Sequence, residues 1–83
     1  DLIKFSDLLY HDSTFLDIDK YLAEKTKHST AFQAATIANK ASVKKLILGH
    51  YSSRYKNKTQ FLDEAKKIFN NSHLSEDLKR FLI

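Results

Sequence analysis

The run Val43-Lys44-Lys45-Leu46-Ile47-Leu48 constrains this chain more than any other segment. It is β-branched and apolar, and it stops at Gly49, the one glycine among 83 residues. That pattern is a strand buried in a sheet. Just upstream, Ala31, Ala34, Ala35, Ala38 and Ala41 recur at helical spacing, and side chains that small let a helix lie close on a sheet. A close-packing helix leading into a buried strand predicts an α/β fold.

The flanking segments extend the pattern. Asp7–His11 reads as a short strand, with Leu8, Leu9 and Tyr10 as its apolar residues. Asp17 reads as a helix N-cap, with Ile18, Tyr21 and Leu22 on one inward face. Ser29 or Thr30 caps the alanine helix. A third helix is predicted after Thr59, with Asp63 and Glu64 in its first turns and Phe61, Leu62, Ala65, Ile68 and Phe69 along one face. The tail has two readings. Ser75-Glu76-Asp77 can cap a helix through Leu78, Phe81 and Leu82, or Leu74 and Phe81-Leu82-Ile83 can flank the turn of a hairpin. The hairpin is the expectation adopted here, giving the order strand-helix-helix-strand-helix-hairpin.

With no proline, no repeat and no low-complexity linker, residues 1–83 read as a single unit. Strands buried on both faces want more sheet beside them than 83 residues supply, so the unit is expected to be a fragment of a larger layered domain. The lack of any methionine leads to the same expectation, that the sequence as written is not a primary translation product. There is no cysteine, which excludes disulfides and thiolate metal sites. No apolar run approaches the roughly 20 residues of a membrane span, and no membrane association is expected. The net charge of +4 and pI near 9.4 fit either a solvated lysine-rich surface or attraction to a polyanion such as RNA. Arg54-Tyr55-Lys56-Asn57-Lys58, which mixes cations with an aromatic, is the local candidate for the second.

The residues that can carry chemistry sit at junctions. His50 follows the buried strand, His28 precedes the alanine helix, and His11-Asp12 ends the first strand. Such positions are rigidly aimed yet accessible. On the residues alone His50 is either a metal ligand or a hydrogen-bonded strand-end histidine, because no His-x-His or His-x3-His spacing supports a local site. His28 is either a proton donor or a residue of the capping region. Arg54 either meets a phosphate or pairs with a carboxylate such as Asp12.

Three motifs narrow these alternatives. Tyr10-His11-Asp12-Ser13-Thr14, His28-Ser29-Thr30 and Gly49-His50-Tyr51-Ser52-Ser53-Arg54-Tyr55 together resemble the C-terminal part of ribonuclease Z, the zinc-dependent tRNA 3′-end endonuclease family. The resemblance implies the C-terminal part of a metallo-β-lactamase-like αββα sandwich. By that likeness His50 is a zinc ligand, and His28 and Asp12 are catalytic and assist protonation of the leaving oxygen. Arg54 contacts phosphate, and His11 braces a ligand without binding metal. In the family the acid of the first motif is commonly Glu, so Asp12 is one methylene shorter. The resemblance also implies two zinc ions in the parent, precursor tRNA as substrate, a homodimer and a cytoplasmic location. The other zinc ligands of the family, including its His-x-His-x-Asp-His signature, do not occur here, so the segment is expected to be inactive alone. The rival readings are a non-catalytic basic α/β module that binds RNA or protein, and another hydrolase of the same superfamily.

Overall fold

Leu46, Ile47 and Leu48 are fully buried, as the apolar run requires. In the computed structural model, which describes residues 2–4 (backbone only) and 7–75, they belong to β3, Lys45–Gly49. β3 is an inner strand of a four-stranded sheet. It runs parallel to β2 (Leu8–Asp12) on one side and to β4 (Ser72–Leu74) on the other. β1 (Leu2–Lys4) adds antiparallel to β2, giving the order β1-β2-β3-β4. Three helices complete the unit: α1 (Lys20–Thr26), α2 (Ala31–Ala41) and α3 (Thr59–Lys66).

The alanine face of α2 does what its spacing dictates. Ala31, Ala34, Ala35 and Ala38 have no exposed surface and form one cluster with Leu9, Leu46 and Leu48 of the sheet and Phe61 and Ala65 of α3. Helix α2 begins in a full capping box. The Thr30 hydroxyl accepts from the Gln33 amide, and the Gln33 side chain accepts from the Thr30 amide. This satisfies two amides that the first turn would otherwise leave unpaired. Ser42, in the left-handed conformation, ends the helix. Val43 is buried but precedes the ladder, because the Lys44 and Lys45 amides both donate to the Asp7 carbonyl instead.

Four expectations need correction. Asp17 does not cap a helix: a 3₁₀ helix covers Asp17–Asp19, its N-cap is Leu16, and the Asp17 carboxylate accepts from the Thr30 hydroxyl at 3.1 Å. A 3₁₀ start advances about 120° per residue instead of 100°, which rotates the expected inward face outward. Ile18 and Tyr21 are consequently 84% and 64% exposed, and Ala23 is the residue buried from α1. Asp63 and Glu64 lie beyond the first turn of α3. Ile68 and Phe69 follow the end of α3 rather than extending its face, with Ile68 exposed and Phe69 packed against the core. Of the tail, Ser72–Leu74 is a strand paired with β3, while the proposed second arm at Phe81-Leu82-Ile83 lies outside the described residues.

Gly49 lies against the far end of the Tyr10 side chain. A Cβ there would come within 2.6 Å of Cζ of Tyr10, so any other residue would displace the tyrosine ring.

Candidate functional site

Strand register decides which side chains can meet. Asp12 is the register partner of Gly49, so the C-terminal ends of β2 and β3 lie side by side and the next residues leave from the same edge. Ser13 locks that edge, its amide and its hydroxyl both donating to the Gly49 carbonyl at 2.7 and 3.2 Å. The start of α2 is drawn to the same place by a parallel bridge between Phe15 and Thr30, with the Ala31 amide donating to the Phe15 carbonyl at 3.0 Å. Three segments distant in sequence therefore deliver Asp12, His28 and His50 to one edge.

There the three side chains converge. One ligand atom from each of Asp12, His28 and His50 lies within 4.8 Å of the others. The imidazoles of His28 and His50 meet edge to face, with centroids 4.9 Å apart. His28 Nδ1 stands 3.7 Å from Asp12 Oδ2, which also accepts from the Ser29 amide at 3.0 Å. Thr14 Oγ1 lies 3.5 Å from His50 Nδ1. Asp12 is buried, His28 half-buried and His50 exposed, a gradient from an anchored carboxylate to accessible ring nitrogens. His50 has φ = 58°, in a left-handed region that costs a non-glycine residue about 1–2 kcal/mol. Strain of this kind clusters at functional positions.

Burial alone would raise the Asp12 carboxyl. The Ser29 amide, by its hydrogen bond, and His11, by its charge, favour the ionised form against that cost. Asp12 is thus an anion at neutral pH. His11 is itself buried, and its Nδ1 lies 2.7 Å from the Asp12 carbonyl. A carbonyl only accepts, so the proton is on Nδ1. The same nitrogen is 3.4 Å from Asp12 Oδ1, and His11 thereby touches the carboxylate without joining the cluster.

Arg54 lies elsewhere. Its Nη1 is 3.4 Å from Asp19 Oδ2 and does not pair with Asp12. The Tyr55 hydroxyl donates to the same Asp19 carboxylate and accepts from the Leu16 amide at 3.1 Å. The Tyr55 ring stands edge-on to Phe61, so it serves packing rather than presenting a stacking face. Burial and the Asp19 carboxylate raise the Tyr55 phenol above its usual value. Lys56 and Lys58 are exposed, with the Lys58 ammonium 5.4 Å from the centre of the Tyr51 ring. The reading of the sequence did not single out Thr14 or Asp19. Thr14 sits inside a quoted motif and was within reach, whereas the partnership of Asp19 spans 36 residues and depends on the fold.

Two oxygen- and nitrogen-bearing residue types in a 2-His-1-carboxylate grouping suit a borderline divalent transition metal. The structure matches a metallo-β-lactamase fold protein, YhfI of Bacillus subtilis, with a TM-score of 0.74 over 82% of this chain and 27% of that one, at 24% identity. The chain is therefore an α/β segment with the metallo-β-lactamase fold. No protein-family profile matches it. In sequence it is 48% identical over 82 residues to ribonuclease Z of Parabacteroides distasonis and 51% identical over 84 residues to ribonuclease Z of Picrophilus torridus. These matches take in 99% and 98% of the chain but 27% of each relative. Over nearly its whole length the chain is similar to ribonuclease Z, matching its C-terminal part, and it spans about a quarter of the length of the relatives it matches. Among the described residues no helix is long and apolar enough to cross a membrane.

Proposed function

We propose that this segment supplies one side of the active site of a zinc-dependent endoribonuclease that trims the 3′ end of precursor tRNA. The observation that carries this reading is the convergence of Asp12, His28 and His50 within 4.8 Å, from three motifs that resemble ribonuclease Z. His50 is the ligand of the segment, since its exposed ring can offer Nε2 while Nδ1 faces Thr14. When bound, zinc supplies positive charge against the charge that builds on the phosphoryl oxygens during displacement. The remaining ligands of a two-zinc centre would come from the other three-quarters of the family's length.

The chain's own residues then handle the proton. Asp12, ionised and fixed by the Ser29 amide, holds the Nδ1 edge of His28, leaving Nε2 to face substrate. His28 gives the proton at Nε2 to the leaving oxygen, a step worth about 10²–10⁴-fold. Arg54, half-neutralised by Asp19, braces the loop after β3 and has donors left for a phosphate. His11 fixes the carboxylate from behind. Residues 1–83 form part of a larger domain in this account, inactive by itself, within a cytoplasmic homodimer. The test is zinc content and precursor-tRNA cleavage by the full-length protein and its His50→Ala variant. Joint loss of metal and cleavage is expected. Full zinc content with unchanged cleavage contradicts the ligand role of His50, whereas a full-length protein that holds no zinc and cleaves no precursor tRNA favours a non-catalytic basic RNA-binding module.

A further inference from the structure

Glu64 lies on α3, outside the cluster, yet its carboxylate reaches both loops that carry it. Both oxygens of Glu64 accept from the Asp17 amide at 3.0 Å, and Oε2 also accepts from the Phe32 amide at 2.9 Å. Asp17 opens the 3₁₀ helix that follows the Asp12 strand, and Phe32 is in the first turn of the helix that follows His28. One carboxylate therefore occupies the amide-rich starts of two helical segments at once, where aligned peptide dipoles favour negative charge.

The same two segments are joined a second time. Thr30 donates to the Asp17 carboxylate at 3.1 Å, and the Phe15 and Ala31 amides bridge the backbones. These bonds hold the strand-end loop and the helix start to each other. Glu64 ties both by hydrogen bonds to a third element, α3, whose Phe61 and Ala65 are locked in the core. A rigid anchor on α3 thus sets where the Asp12 loop and the His28 loop sit relative to the sheet edge that carries His50.

We infer that Glu64 is a positioning residue for the candidate site, acting through two backbone amides to hold His28 against Asp12 and His50. This rests on the proton-donor reading of His28 for its effect on turnover, but not for its effect on geometry. Charge-assisted bonds from a carboxylate to amides are among the stronger hydrogen bonds, and displacement of a catalytic group by about 1 Å can cost up to about 10²-fold in rate.

The test uses the full-length protein with Glu64→Ala and Glu64→Gln, each also combined with His28→Ala. Isotope-labelled histidines report the His28–His50 ring proximity by cross-relaxation, independently of activity. Glu64→Ala is expected to abolish that proximity signal and to lower kcat about tenfold with KM within about twofold. Glu64→Gln, whose carbonyl can still accept from both amides, should retain most of both. In the His28→Ala background the Glu64 substitutions should cost almost nothing further, because groups acting as a unit are non-additive. If Glu64→Ala does not fold, Glu64→Asp, one methylene too short to reach both amides, replaces it in the same comparisons. A surviving ring signal in the folded variant, or equal kcat losses with and without His28, overturns the positioning role. Loss of the ring signal with unchanged kcat upholds the positioning and instead defeats the proton-donor reading.

Discussion

His28 and Asp12 are 16 positions apart in the chain, yet Nδ1 of one stands 3.7 Å from Oδ2 of the other. The Ser29 amide, next in sequence to His28, donates to that same oxygen. The histidine and its backbone neighbour therefore approach one carboxylate together, and the carboxylate is fixed whether or not the imidazole is charged.

Helix α2 depends on its small face. Ala35 has no exposed surface, so Ala35→Leu should overpack the helix–sheet interface and destabilise the chain by about 1–3 kcal/mol. Denaturant melts measure this, and an unchanged midpoint would show that the alanine face does not pack as described.

Thr30 joins cap to core. It is fully buried, accepts from Gln33 and donates to Asp17. Thr30→Ala should cost about 1–2 kcal/mol, whereas Thr30→Ser, which keeps the hydroxyl, should cost less. Equal losses for the two would assign the effect to the methyl group rather than to the cap.

The backbone at His50 gives a prediction that separates shape from chemistry. At φ = 58° glycine carries no Cβ penalty, so His50→Gly should be more stable than His50→Ala by about 1 kcal/mol. Both variants should lose the metal equally. A more stable alanine variant would mean that the left-handed conformation is not held in solution.

How much of this was readable beforehand follows the range of the interactions. The alanine face of α2, β3 and the cap at Thr30 are written in local periodicity and are found where periodicity puts them. The three motifs named the residues at the sheet edge. Their distances were not legible, because the register of Asp12 opposite Gly49 is a pairing across 37 positions. Ile18 and Tyr21 misled because a single 3₁₀ turn shifts the phase of all that follows. Arg54 pairs with a carboxylate, as one of its two readings allowed, but that carboxylate is Asp19, whose approach from elsewhere in the chain depends on the fold.

The central claim is that His28 and Asp12 act as one device beside a metal held by His50. Single-turnover cleavage of precursor tRNA, with zinc measured on the same samples, tests it most directly in full-length His28→Ala, Asp12→Ala and the double variant. Each single substitution should lower the cleavage rate by about 10²–10⁴-fold with zinc retained, and the double should be little worse than the poorer single. Losses that multiply, or a single substitution at either position that strips the zinc, would contradict the pairing.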